Sequence, residues 1–154
     1  MKTKDLSVTY DGRSYVGFDF QALPLAVAVA VGAQQVDQAA DAARIAMLGD
    51  NSRFVEYSIA ADEAQAFAEG GYEGDVPASV EASMISAGLN AKEAADEILA
   101  AAQAFRVAIT GVRSIRLKAK KAISDAYDHD SVEAATDQAV AQIHACIAGV
   151  GNAA

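Results

Sequence analysis

The sequence predicts a mostly helical α+β protein. A β-hairpin, or three-stranded unit with one helix, opens the chain. A long alanine-rich helix and a C-terminal helix then form a helical hairpin or coiled-coil-like bundle. Three observations carry this: an Asp-Gly turn between alternating segments near the N-terminus, 37 alanines in 154 residues, and a run from Ala91 to Tyr127 that contains no proline. Alanine is the best helix former but buries little area, so alanine-rich helices approach closely and gain modest hydrophobic energy per residue.

The hairpin occupies Leu6–Phe20. Val8 and Tyr10 alternate with polar residues, Asp11-Gly12 supplies the positive φ angles of a type I′ turn, and Tyr15–Phe20 returns as the second strand. Pro24 suits the first turn of a helix, and Gly49 suits a left-handed cap after Leu48. Leu25–Val31, with its "AVAVAV" pattern, fits a buried strand or a buried helix equally; a helix is favoured from Gly32 onward. Ser52–Ile59 alternates and is expected to be a third strand. The first 60 residues thus form a small docking unit, and residues 61–154 a helical region.

Two short helices, Ala61–Glu69 and Val76–Ala87, flank an elbow at residues 70–80, "GGYEGDVPASV". Asn90 and Glu93 have capping-box spacing ahead of the long helix, and Asp130 or Ser131 is expected to cap the last helix, which ends near Ala148. Along the long helix, Ile98, Ala102, Phe105, Ile109, Val112, Ala119 and Ile123 recur in steps of four and three, with Arg116 breaking the row. Such a stripe fits an intramolecular helical hairpin or a self-associating seam. Association is favoured because a helix of about 50 Å, at ~1.5 Å per residue, outreaches a domain of this size.

The formal charge is −9, from 21 acids and 12 bases. That argues against general nucleic-acid binding and against an anionic membrane surface. Arg106, Arg113, Arg116, Lys118, Lys120 and Lys121 nevertheless hold half of the positive charge. Without interleaved aromatics or a recognised motif, this basic face is expected to be solvated and paired with acidic helices. The longest apolar run, Leu23–Ala33, falls short of the ~20 residues of a membrane span. Met1–Phe20 has no secretory pattern, so a soluble protein made in the cytoplasm is expected.

No catalytic constellation is legible. His129 lies between Asp128 and Asp130 in a cap-like loop; His144 and Cys146 are two apart on a helix and face different ways. "EGGYEG" follows a helix and lacks the lysine of a phosphate loop. No catalysis, cofactor or metal is expected.

Taken as one unit, Glu63–Lys120 is more specific than its parts. Its segments "EAQAFAEGGYEGDVPASV" (Glu63–Val80), "AGLNAKEAADEI" (Ala87–Ile98) and "VRSIRLKAK" (Val112–Lys120) resemble a recurring pattern in small structural proteins from the tail and fibre gene modules of tailed bacteriophages. The chain departs from that pattern at Ser83, where tryptophan is usual, and at Phe105, Asn90 and Ala119. The resemblance implies a rigid elbow in which Tyr72 and Val76 fold back as anchors, Gly71 and Gly74 make the turns, and Pro77 starts the next helix. It also implies a virion component: a tail, fibre-base or decoration protein that associates with itself, a trimer being the favoured order, and with other virion proteins. The alternative it implies is a cytoplasmic assembly chaperone or adaptor for such a protein.

Overall fold

The computed structural model describes residues 1–49 and 51–150. Among them are β1 (Leu6–Tyr10), β2 (Arg13–Phe18), a 3-10 turn (Phe20–Ala22), and the helices α1 (Leu25–Leu48), α2 (Asn51–Glu69), α3 (Ala78–Ala87), α4 (Ala91–Ser124) and α5 (His129–Cys146). The mostly helical α+β class with an N-terminal hairpin is the observed one. The helical expectation for 61–69 extends into a longer α2, and the long helix stops at Ser124 rather than Tyr127.

In the hairpin, Asp11 and Gly12 both have positive φ, 47° and 72°, as a type I′ turn requires. Leu6 pairs with Phe18 and Ser7 with Val16, which leaves Gly17, at φ 72°, as the extra residue of a bulge. The returning strand ends at Phe18; Phe20, expected as its last residue, is buried in the 3-10 turn and donates its N–H to the Thr3 carbonyl.

One expectation is corrected and one open alternative is decided. Ser52–Ile59 is not a third strand but lies within α2. The alternation of Phe54–Ile59 mimics period two, yet the sheet keeps only β1 and β2 among the described residues. Leu25–Val31, open between strand and helix, is the start of α1; Val27, Val31, Val36, Ala40, Ala43 and Met47 are buried at helical spacing. The boundary expected between residues 60 and 61 falls inside α2.

Contacts group the chain into two compact units. The first contains Met1–Arg44 and Thr110–Ala148, and the second contains Ile45–Ile109. In the first, α1, the C-terminal half of α4 and α5 share a core that includes Phe20, Val27, Val36, Val112, Ile123, Val132 and Ile143. Small residues set these approaches: a Cβ on Gly32 would sit 2.8 Å from Thr136 Oγ1, and one on Gly111 would sit 2.6 Å from Cys146 Sγ. His129 Nε2 bonds the Leu23 carbonyl at 2.8 Å and its ring packs edge-on to Phe20. Asp128, two or three residues earlier than expected, caps α5: its carboxylate accepts from the Ser131 N–H at 2.8 Å. The Ser131 hydroxyl, and with it the Ser131 N–H, bonds the Asp128 carboxyl and holds it below the usual range.

The second unit packs Ala64 and Phe67 of α2, Val80 of α3, and Ala94 and Ala95 of α4 into one cluster, with Ile98 half-buried against it. The Asn90–Glu93 capping box forms as the spacing predicts, each side chain taking the other's backbone N–H at 2.9 and 3.1 Å.

Candidate functional site

The elbow at 70–80 is built from the end of α2 upward. Gly71, at φ 77°, is the left-handed residue after the helix, and its N–H returns to the Ala68 carbonyl. Tyr72 N–H reaches back to Phe67, completing a Schellman closure. Such closures place the residue after the glycine against the one five positions earlier. Here the Tyr72 and Phe67 rings meet edge-on, with centroids 5.7 Å apart. Tyr72 itself is left-handed, at φ 62°, which a bulky residue adopts only when held by its surroundings. Its hydroxyl donates to Asp96 at 2.6 Å, and Lys92 both pairs with Asp96 and lies over the Tyr72 ring, 4.4 Å from its centre. The bond to Asp96 raises the Tyr72 hydroxyl above its ordinary range; the bonds from Lys92 and Tyr72 lower the Asp96 carboxyl.

Glu63 of α2 supplies what α3 lacks. Pro77 stands at the N-cap of α3 and makes no side-chain cap, while the Glu63 carboxylate accepts the Ser79 N–H at 3.0 Å. One of the free donors at that helix start is satisfied from a neighbouring helix. The bond from Ser79 lowers the Glu63 carboxyl. Tyr72 is therefore an anchor, Gly74 is at φ 92° in the turn, and Pro77 precedes α3 by one residue. Val76 is 37% exposed and is not among the residues packed against the cluster.

The stripe on α4 divides. Ile98, Ala102, Phe105 and Ile109 are half-buried, and Phe105 meets Phe54 of α2 with ring centres 6.1 Å apart. Val112 and Ile123 are buried within the chain's own first unit, as is Ala119, so the C-terminal half of the stripe is intramolecular core rather than a seam between copies. The basic face divides at the same place. Arg106 and Arg113 are exposed, whereas Arg116 and Lys120 converge on Asp37 of α1 at 3.0 and 2.6 Å.

Burial would raise the Asp37 carboxyl, but the bonds from Lys120 and Arg116 outweigh it and hold the carboxyl below its ordinary value. A depressed folded-state value contributes stability above the unfolded value of ~3.9, and that contribution is lost as pH falls through the folded one. With all three side chains partly exposed, we expect Asp37→Asn to cost about 1 kcal/mol at neutral pH. The gap to the parent should narrow below about pH 4. Urea titrations of both proteins at several pH values check this; a gap that widens in acid would contradict it.

No cluster of three or more histidine, cysteine or acidic side chains converges among the described residues. A cavity of about 280 Å³ between β1 and α1 is lined by Leu6, Val8, Val31 and three glutamines, and the Gln35 amide already pairs with both backbone groups of Lys2. By length and composition α4 is apolar enough to cross a membrane, with a mean hydropathy of 1.3 over an 18-residue window, of which 11% is buried within the chain. Gln103, Arg106 and Arg113 interrupt this window, so no apolar run in α4 exceeds Leu23–Ala33.

No family model, curated protein or solved structure matches the chain.

The surface that sequence reasoning missed lies on α2. Arg53–Ile59 are seven consecutive exposed residues, and Phe54, Val55, Tyr57 and Ile59 are between 47 and 56% exposed. The segment's strand-like alternation hid it: a strand would have one face to bury, whereas on this helix Phe54, Val55, Tyr57 and Ile59 spread over more than half of the circumference, with Arg53 and Glu56 on the remainder. Ile45, Ile85 and Val107 add further exposed apolar residues to the same unit.

Proposed function

We propose that the chain is a structural component of a tailed-phage particle, a tail, fibre-base or decoration protein, that acts by self-association and docking and performs no catalysis. One observation carries the assembly reading: two turns of α2 have large apolar side chains and no buried residue. Helices in proteins owe most of their stability to burying an apolar face, and here Phe54, Val55, Tyr57 and Ile59 form a broad apolar face that the chain itself leaves uncovered. The particle reading is supported by the resemblance of Glu63–Lys120 to tail-module proteins. The braced elbow also suits a part held at a fixed angle: Tyr72, Glu63 and Asp96 tie α2, α3 and α4 together. Such a protein would be made in the host cytoplasm and end in the virion, with itself and other virion proteins as partners.

Mass spectrometry of purified particles tests the reading. The expected result is the chain at a fixed copy number per particle. Presence in infected-cell lysate with absence from finished particles would overturn it in favour of an assembly chaperone.

A further inference from the structure

The self-association proposed above needs a surface, and the sequence stripe no longer supplies it, since Val112 and Ile123 are already covered. We infer that Arg53–Ile59 of α2, with the neighbouring part of α4, form the contact with a second copy of this chain. The inference rests on the assembly reading and gives it a place.

Size is the first argument. Phe54, Val55, Tyr57 and Ile59 are 47 to 56% exposed within the second unit. Taking ~150–250 Å² for a large side chain, they present on the order of 400 Å² of surface. Monomers seldom expose apolar patches beyond ~300–600 Å². Interfaces are only a little over half apolar, so two such patches with their polar rims would bury roughly 1,400 Å², within the range of stable interfaces. The Phe54–Phe105 contact ties the exposed turns of α2 to α4, so the patch has a backing and is not a lone helix.

Charge is the second argument and selects the occupant. The chain carries −9, so two copies repel over most of their surfaces. Residues 45–61 contain Asp50, Arg53 and Glu56, and residues 98–112 contain only Arg106, which together sum to zero. The apolar patch thus coincides with the neutral part of an acidic molecule, where a like-charged copy meets least repulsion. A lipid bilayer is the competing occupant. It is disfavoured because an anionic surface repels the acidic chain, and because Gln103, Arg106, Thr110 and Arg113 would enter the hydrocarbon with α4.

The test uses the full chain in sedimentation equilibrium at micromolar concentration. The parent is expected to sediment as an oligomer. Val55→Glu with Ile59→Glu is expected to sediment as a 15.9 kDa monomer with unchanged helical circular dichroism. Ile85→Glu, at an exposed residue on α3, is expected to remain oligomeric. A second measurement does not depend on breaking anything. Ile59→Cys should cross-link between chains with a short bismaleimide and Ile85→Cys should not, Cys146 being common to both. A monomeric parent, an oligomer indifferent to the α2 charges, or a monomer that floats with phospholipid vesicles would each overturn the inference. A particle-bound protein that is monomeric alone would leave the virion reading standing. A clean oligomer absent from particles would do the reverse.

Discussion

Ile123→Ala should lower the unfolding free energy by about 2–5 kcal/mol without changing the number of copies in the assembly. Ile123 is fully buried one residue before the end of α4 and faces the point where α1 carries Gly32; a Cβ there would lie 3.5 Å from Ile123 Cγ2. Truncation removes three carbons from a site closed by α1 and α5, and such sites collapse poorly because both walls are rigid helices. The two readings of the α4 stripe predict opposite outcomes. If Ile123 lined a seam between copies, truncation would shift the oligomer equilibrium and leave the isolated chain's stability nearly intact. If it is intramolecular core, the urea midpoint falls and sedimentation is unaffected. Paired with Val55→Glu/Ile59→Glu, which should do the reverse, Ile123→Ala separates folding from assembly.

The sequence made local structure legible where the chemistry is local. Asp11-Gly12 specifies its turn through backbone sterics alone, and Asn90 with Glu93 specifies a helix start through two hydrogen bonds within four residues. Both were readable because nothing distant competes. Phe54–Ile59 was misread because β-branched and aromatic residues in alternation describe a half-buried surface, whatever backbone carries it. Helical periodicity shows only when one face is buried, and this segment buries none of Arg53–Ile59. The α5 cap was placed at Asp130 or Ser131 because "DHDS" offers several capping residues in a row; the structure selects Asp128, with His129 turned to Leu23 and Phe20. The elbow reads as specific, with Tyr72 and Val76 as its anchors, and of these Tyr72 is the one packed against the cluster. Its braces, Asp96 and Glu63, carry no local signal for that role, because Asp96 is bonded by Tyr72 from 24 residues away and Glu63 by Ser79 from 16. The pairing of Asp37 with Arg116 and Lys120 spans about 80 residues, and no spacing rule connects them.

Gly32→Ala inverts the ordinary rule for helix interiors. In an isolated helix the exchange is favourable by ~1 kcal/mol, since glycine loses more backbone freedom on folding. Within this bundle the added Cβ would stand 2.8 Å from Thr136 Oγ1 and 2.9 Å from Val132 Cγ1, closer than such atoms approach. Neither neighbour yields readily. Both are fully buried and β-branched on α5, with stiff χ1 angles, and the Thr136 hydroxyl is fixed to the Val132 carbonyl at 2.7 Å. The helices must therefore separate, which loosens the contact with Ile123 as well. Overpacking of this kind costs about 1–3 kcal/mol, enough to outweigh the propensity gain, so net destabilisation is expected in denaturant titration. Combining Gly32→Ala with Val132→Ala removes one of the two obstructing atoms. The pair should then lose less than the sum of its parts, a coupling that arises only between residues in contact. A stabilised Gly32→Ala protein, or strict additivity with Val132→Ala, would show that α1 and α5 do not meet at this glycine, and the first unit's core would need a different arrangement.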